Sequence, residues 1–258
     1  MKKKALLLAA PMLGVGLVAL SAAPAMAAHA EGSYSAMLEE INNSGASGEV
    51  WIDITGTEAT VTLNASGLAA EFDGNPYPHV QHIHIGAMGT CPSMDADENG
   101  DGIISTTEGA PAYGAIGTTL SVGDADKSPE GGLDLAAAPS GDTITYEETF
   151  ELNQETQDAL AAGTAVVVVH GLDPAGQPEG ATEPSDLVPE LPLAATSPAL
   201  CGAIDMQPAG GVDTDVVTAA GAEGANESAL GFIAMGGLLA AMTVGGVYVA
   251  RRRLATND

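Results

Sequence analysis

Short runs that alternate between apolar and polar residues recur through the middle of the chain. They are rich in β-branched residues and are separated by Gly, Pro, Asn and Asp, which is typical of strands joined by turns. Residues 166–169 are apolar at every position, so they predict a central strand covered on both faces. The pattern as a whole indicates an all-β sandwich. The predicted strands are 49–54, 59–64, 80–85, 116–122, 143–152, 165–169 and 200–204.

Three other segments depart from this alternation. Residues 155–162 predict the one helical turn, which ends at Gly163. Residues 34–41 fit either a helix or an edge strand. Residues 205–228 contain no aromatic side chain and show no periodicity. That composition predicts a flexible acidic linker.

Both ends of the chain carry features of targeting segments. Lysines, an apolar run and a small-residue cleavage site predict a secretory signal peptide over residues 1–27. Residues 229–250 are uncharged and would reach about 33 Å as a helix, enough to span a membrane. Arginines follow this span, which predicts a cytoplasmic tail at 251–258. The chain is therefore expected at the cell surface as a single-pass membrane protein, with one extracellular domain over residues 28–204.

Charge narrows the range of partners. The formal net charge is −27, and Lys127 is the only basic side chain between residues 28 and 228. So acidic a surface excludes nucleic acid and anionic membrane surfaces as partners, whereas divalent cations would relieve its self-repulsion. Simple solubility in a salty environment explains the charge equally well. The sequence does not specify an extracellular protein partner.

The most specific motif is the acidic stretch DENGDGIISTTE at residues 97–108. It matches the calcium loop of EF-hand proteins, in which oxygen ligands recur at fixed positions and a glycine, here Gly102, supplies the sharp turn. The alternative is an acidic turn that carries the pattern by chance. The predicted calcium ligands are Asp97, Asn99, Asp101, the carbonyl of Ile103, Ser105 through a water, and Glu108.

The sequence on either side of the calcium loop is rich in helix breakers. Glycine and proline recur at 86–92 and at 109–114. A sensor EF-hand needs a helix on each side of its loop, and these residues predict that neither flank is helical. We therefore interpret the loop as a calcium staple that stabilises the domain rather than as a switch.

Four of the five histidines lie in or next to two predicted strands. His82 and His84 are two positions apart, so their rings leave the same face of the strand. His170 ends the strand 165–169. If the two strands are neighbours, three imidazoles meet, and such a set suits copper or zinc. His79 precedes the first strand and is an additional candidate ligand; alternatively, all four are hydrogen-bonded structural residues.

The chain contains two cysteines, Cys91 and Cys201. In a secreted protein this number predicts one disulfide, closing a loop of about 110 residues. A pair of thiols that binds metal is the alternative, and it suits a reducing compartment better.

Several short pieces of the sequence resemble, in order and spacing, parts of Cu/Zn superoxide dismutases and of the related CHRD-domain family. They are QHIHIG at 81–86, Cys91, VVVHG at 167–171 and LCGAI at 200–204, so the resemblance covers about 49–204. It implies an eight-stranded Greek-key sandwich and a disulfide from the post-histidine loop to the last strand. It also implies copper ligands at His82, His84 and His170. The calcium loop followed by EGAPAYG at 108–114 is similar to bacterial secreted CHRD-like proteins.

The chain also departs from the dismutase pattern. No histidine lies between His84 and His170, so the bridging and zinc-loop histidines are absent, and Pro198 stands where dismutases carry an arginine. Efficient superoxide dismutation is therefore not expected. The prediction is a membrane-anchored Greek-key β-sandwich with an inserted calcium loop, which binds calcium without catalysis and has copper as a candidate second metal. The alternative is a copper-binding protein or a weak dismutase-like oxidoreductase.

Overall fold

The structure of the protein is a computed structural model that describes residues 30–208. The predicted signal peptide, membrane span, cytoplasmic tail and most of the predicted linker lie outside the described residues. Within residues 30–208, no helix is long and apolar enough to cross a membrane.

The described residues form mainly antiparallel strands, with three α-helices and several single 3₁₀ turns between them. The strands are β1 (Gly32–Glu40), β2 (Ser47–Thr55), β3 (Glu58–Ser66), β4 (Glu71–Phe72), β5 (Asn75–Pro76), β6 (Gln81–Ile85), β7 (Ala115–Thr119), β8 (Thr143–Glu151), β9 (Val166–His170), β10 (Pro198–Ala203) and β11 (Asp205–Met206). The helices are α1 (Thr106–Tyr113), α2 (Gln154–Ala161) and α3 (Leu193–Thr196).

One curled sheet contains all the long strands. Its order is β7-β6-β9-β10-β1-β2-β3-β8, with β11 also paired to β1, and β4 and β5 form a separate hairpin. The sheet curls at β1, because residues 32–38 of this strand pair with β2 while Glu39 and Glu40 pair with β10. The structure thus confirms a mainly β fold, in which the curled antiparallel sheet resembles a sandwich. The Greek-key connection pattern stays a prediction.

The main hydrophobic core lies inside this curl. In β2, Val50, Ile52 and Ile54 are buried at every second position, and β3 repeats the alternation. They pack in one cluster with Val167 and Val169 of β9. Each buried side chain of this size contributes about 1.5–3 kcal/mol relative to exposure to water. The core therefore fixes the position of β9, which carries His170.

Strand β9 is covered on both faces, as its apolar run predicts. Its odd-numbered valines face the main core, whereas Val166 and Val168 belong to a second cluster with Ile104, Tyr113 and Cys201. The strand lies between β6 and β10 in the sheet. This second cluster covers the outer face of the sheet, on which the histidines also lie.

The structure corrects the predictions for two segments, one near each end of the described residues. Residues 34–41 fit a helix or an edge strand by sequence, but residues 34–40 belong to β1, a central strand between β2 and β10. Burial of Tyr34, Ala36 and Leu38 at every second position explains the strand. Asp205 and Met206, which were expected in the linker, form β11 and pair with β1.

The expectation of no helix after the calcium loop is wrong. Helix α1 forms over 106–113 even though it contains Gly109 and Pro111. A capping box explains this, since the Ser105 hydroxyl accepts from the Glu108 amide while the Glu108 carboxylate accepts from the Ser105 amide. Because the helix has only two turns, Pro111 removes a single backbone hydrogen bond. Gly109 is required for packing, because a Cβ there would lie 2.5 Å from the Tyr113 ring.

The predicted disulfide between Cys91 and Cys201 is present, with 5.8 Å between the two Cα atoms. It connects the loop after β6 to β10 across 110 residues of sequence. Cys201 is buried in the second cluster. The bridge therefore holds the loop against the outer face of the sheet.

Removing this disulfide is expected to lower the free energy of unfolding by about 4 to 5 kcal/mol, because a long loop in the unfolded chain is no longer closed. Urea unfolding of the oxidised protein and of the Cys91→Ser/Cys201→Ser variant measures the difference. Mass spectrometry of a non-reduced digest should show the linked peptides. Two free thiols in protein purified without a reductant would contradict the pairing.

Candidate metal centre

The three histidines predicted as copper ligands meet on the outer face of the sheet. β6 and β9 pair antiparallel, with His82 opposite Val168 and His84 opposite Val166. The amide of His170 donates to the carbonyl of Val80, which places its ring at the end of β9 beside the other two. The ring centroids are 5.2 to 5.9 Å apart. The sequence prediction that these side chains converge is therefore confirmed.

Each ring donates from one nitrogen to a backbone carbonyl and leaves the other nitrogen free. His82 Nε2 lies 2.9 Å from the Gly132 oxygen, and His84 Nδ1 lies 2.9 Å from the Gly114 oxygen. His170 Nδ1 lies 2.8 Å from the Thr196 oxygen. A carbonyl only accepts, so the bonded nitrogens carry the hydrogens and the other three present lone pairs.

The three histidines lie close enough together to share one metal ion. His82 Nδ1, His84 Nε2 and His170 Nε2 are buried and have no hydrogen-bond partner. The three residues offer ligand atoms that all lie within 4.8 Å of one another. A buried polar atom without a partner costs about 1–3 kcal/mol, which a metal ion would offset. The donor set therefore fits copper or zinc, the metals that imidazole suits.

The environment keeps the three rings neutral. Burial, opposed by the bond to Gly114, lowers the pKa of His84 to about 4. Burial and then the proximity of His84 lower the pKa of His170 to about 3. The pKa of His82 also lies well below its ordinary value, through burial first and then its two neighbours. At neutral pH all three lone pairs are available, because protons do not compete for them.

Two glycines place the carbonyls that orient the rings. Gly114 ends α1 with a φ of 96°, and a Cβ at this position would collide with the carbonyl of Ile85. At Gly132 a Cβ would lie 2.6 Å from the Ile116 side chain. Larger residues at these positions would displace the acceptors of His84 and His82. Sequence reasoning did not find these partners, since nothing local marks a carbonyl from a distant loop as a histidine partner.

A cavity of about 300 Å³ opens above the histidines. Three leucines at its edge, Leu133, Leu135 and Leu187, are 51%, 39% and 49% exposed. The cavity was not predicted, although large apolar residues in otherwise polar loops are a signal that could have indicated it. The full lining comprises Val80, His82, His84, Thr106, Thr107, Ala110, Gly114, Ala115, Ile116, Leu133, Leu135, His170, Leu187, Leu191, Ala195 and Thr196.

His79 lies apart from this cluster. Its Nδ1 is 2.9 Å from the His170 carbonyl oxygen, and its Nε2 is 2.9 Å from the carbonyl oxygen of Ala69. Both ring nitrogens are thus in contact with backbone oxygens. The structure places His79 as a buried link between two segments and not as a fourth ligand.

The predicted calcium loop is closed by its own hydrogen bonds. The Asp97 carboxylate accepts from the amides of Gly100 and Gly102, and Asp101 accepts from the amide of Ile103. The Glu108 carboxylate accepts from the amides of residues 98 and 99. Within residues 30–208, only the histidine cluster brings three histidine, cysteine or carboxylate ligand atoms within 4.8 Å of one another.

The other predicted ligands of the loop have identifiable contacts as well. Asn99 donates from its amide to Asp101, and the Ile103 side chain is buried in the main core. The Ser105 hydroxyl caps α1 and lies 3.2 Å from a carboxylate oxygen of Asp186. Asn99, Asp101, Ser105 and Glu108 line one depression together with Glu183 and Asp186.

Asn42 is a structural residue near the centre that the sequence did not indicate. Its amide nitrogen donates to the carbonyls of Ile104 and Pro198, both at 3.0 Å, and its amide oxygen accepts from the Ile104 amide. It therefore ties the predicted calcium loop, at Ile104, to the start of β10, whose first residue pairs with His170. No pattern around Asn42 distinguishes it from an ordinary turn residue.

Comparisons with known proteins give fold-level similarity alone. No family model matches the sequence, and no curated protein matches it. Among solved structures, Candida albicans superoxide dismutase 5 with Cu(II) aligns at 12% identity and a TM-score of 0.40, over 71% of this chain and 97% of that one. A Glu-to-Ala variant of that enzyme aligns at 12% identity and a TM-score of 0.38, over 68% and 90%. Similarity at this level carries no information about function.

Acid is expected to destabilise the metal-free protein. The pKa values of the three histidines lie below 6.5 in the folded chain, so the unfolded chain binds more protons between that value and about 3. Stability should be constant above about pH 6.5 and fall as the pH decreases toward 4. Urea unfolding in the presence of a chelator, followed across this range, measures the effect.

Other acidic groups also contribute to the loss of stability in acid. The contribution of the histidines is therefore measured by comparing the wild type with a histidine variant. The His84→Gln variant lacks one of the low-pKa rings, and its free energy of unfolding should depend less on pH than that of the wild type. Identical pH profiles for the two proteins would contradict the assignment.

Proposed function

We propose that this protein binds one copper ion through His82, His84 and His170, and that its role is metal binding rather than rapid turnover of superoxide. One observation carries the proposal: each of the three histidines has a buried ring nitrogen without a hydrogen-bond partner, and the three residues offer ligand atoms within 4.8 Å of one another. Each ring is already oriented by a carbonyl, as is usual for metal-ligating histidines. The site therefore requires little rearrangement to accept an ion.

The donor set favours copper over other metals. Three neutral imidazoles suit copper and zinc, and affinity at such a site rises toward copper in the divalent series. The resemblance at 81–86 and 167–171 points to the same metal. When bound, copper would supply one-electron redox chemistry. The chain's own contribution is to hold the ligands neutral and to keep them apart from bulk water.

The surroundings of the site favour binding over dismutation. Superoxide is an anion, and attracting it requires positive charge near the entrance. Lys127, the one basic side chain in the described residues, donates to the carbonyls of Ser121 and Gly123 and lies 5.1 Å from the centre of the Phe150 ring. It does not line the cavity. Pro198 occupies the position at which the resemblance leads us to expect an arginine.

We also propose the cellular location and the domain type that the sequence predicts. The segments 1–27 and 229–250 support export and membrane anchoring, so the domain would face the outside of the cell. There it would be available to an extracellular protein partner, which the sequence does not identify. The resemblance supports a Greek-key domain of the CHRD or Cu/Zn dismutase-like type. An oxidising exterior is also consistent with the disulfide between Cys91 and Cys201.

Copper binding is tested by elemental analysis of the purified chain after loading and dialysis. We expect about one copper per chain and a loss of at least about tenfold in affinity for His84→Gln, as is usual when a metal site is damaged. His79→Gln is the matched control, because it removes a buried histidine of the same region that is not a ligand. It should lower stability yet keep one copper per folded chain.

Two results would overturn the proposal. One is the absence of copper from wild-type protein under loading conditions, which would leave the histidines as structural residues. The other is superoxide turnover by the copper-loaded chain near the diffusional ceiling of about 10⁹ M⁻¹s⁻¹, which would establish an enzyme.

A second candidate function is calcium binding by residues 97–108. The shape of the loop favours it, because both oxygens of Asp97 accept amides from the turn at Gly100 and Gly102. Glu183 and Asp186 line the same depression and add further oxygen atoms. With a single unpaired loop, we propose a weak affinity, on the order of 0.1 to 1 mM, as in extracellular modules.

Calcium is expected to raise the unfolding temperature of the protein at constant ionic strength. At ten times its dissociation constant the ion adds about 1.4 kcal/mol. Glu108→Gln should abolish this shift, since it removes a carboxylate that could bind with both oxygens. Glu98→Gln, which changes the same charge inside the loop at a position that is not a ligand, should leave it intact. Equal unfolding temperatures with calcium and with a chelator would exclude the site.

A further inference from the structure

The cavity above the histidines differs sharply in character from the rest of the surface. The chain carries a formal charge of −27, yet the described residues that line this cavity include no Asp, Glu, Lys or Arg. Its walls are mostly aliphatic, from Val80, Ile116 and four leucines, with a few threonines. His82, His84 and His170 are part of its lining. An exposed apolar cavity on so acidic a protein indicates a binding site.

We propose that this cavity binds a neutral, mainly apolar small molecule that places one donor atom at the metal. The inference rests on the proposed copper site for its coordinating part, while the apolar part rests on the cavity alone. It names the class of ligand that the site would take, which the histidines by themselves do not.

The volume of the cavity suits a small molecule rather than a peptide. Apolar cavities of about 150 Å³ are large enough for benzene, and small-molecule sites begin near 300 Å³. The present cavity of about 300 Å³ can therefore hold one ring with a short substituent. Burying such a ring against the leucines removes apolar surface from water on both sides, which favours binding.

The charge distribution selects a neutral ligand. An anion would lose its hydration among aliphatic side chains without gaining a cationic partner, and the acidic surface would repel it before it arrived. A cation would also lose its hydration, because no carboxylate lines the described cavity. A neutral molecule avoids both costs and can still offer a lone pair to the metal.

The exposure of the rim supports the same conclusion. Leu133 and Leu187 are each about half exposed, on separate loops at the cavity edge. Large leucines that face water cost free energy, and an apolar ligand between them would cover part of their surface. The two loops come from distant parts of the sequence, so their leucines line one cavity only through the fold.

The apolar part is tested on the metal-free full chain with toluene, which has no donor atom and cannot bind through a metal. Leucine methyl groups labelled with ¹³C report the site by NMR. We expect saturable shifts of cavity methyls, at least about tenfold weaker in affinity for Leu133→Asn/Leu187→Asn, since each change removes apolar contact. Met37→Asn is the control, because Met37 is 69% exposed and does not line the cavity.

The coordinating part is tested on the Cu(II)-loaded full chain with two probes that share one donor atom. 4-Ethylpyridine is neutral and apolar, whereas isonicotinate carries a carboxylate on the same ring. The copper absorption and electron paramagnetic resonance spectra report binding. 4-Ethylpyridine should bind at least about tenfold more tightly, and the double leucine variant should reduce this preference.

The outcomes separate this inference from the proposed function. One copper per chain with no toluene binding and no preference for 4-ethylpyridine overturns the apolar-ligand inference and leaves the copper site standing. Toluene binding by a chain that takes up no copper supports the cavity, but overturns both the proposed function and the coordinating part. Equal toluene affinity in the wild type and the double leucine variant overturns the assignment of the ligand to this cavity.

Discussion

The cluster of His82, His84 and His170 depends on the antiparallel pairing of β6 with β9. Side chains alternate across a strand, so the pairing that puts Ile83, Val167 and Val169 into the core also puts His82 and His84 on the outer face. A shift of the register by one residue would reverse every side chain and bury the histidines in the apolar core. The hydrophobic core and the ligand set are therefore specified by the same hydrogen-bond ladder.

The loops on that outer face orient the three histidine rings. Carbonyls of Gly114, Gly132 and Thr196 come from three different connections, and each fixes one ring. The disulfide and Asn42 tie one of these connections, the segment between β6 and β7 that holds Gly114, to β10. Loosening these loops would therefore disturb the arrangement of the three neutral rings, as would replacing one of the histidines. The pKa values of the rings depend on the same packing, because burial is their largest cause.

The sequence predicted what depends on local periodicity and missed what depends on distant contacts. The spacing of His82 and His84 predicts a shared face, and the apolar run before His170 predicts a central strand. The sequence pattern alone left open whether the two strands are neighbours, which the structure shows. The segment 34–41 was ambiguous, because eight residues fit both periods until their neighbours in the sheet are known. Gly109 and Pro111 argue against helix α1 in the sequence, although Ser105 and Glu108 carry the capping-box spacing that starts it. Calcium binding at 97–108 stays a prediction.

The pairing of β11 with β1 has a mechanical consequence. The strand has only two residues, and among residues 30–208 it is the last strand that the sheet holds. A pull on the chain from beyond residue 208 would break its few hydrogen bonds first. The load would then reach Cys201, where the disulfide transfers it to Cys91 instead of stripping β10 from β9. The covalent bridge would thus shield His170 from tension, so the ligand set could stay assembled on a stretched chain.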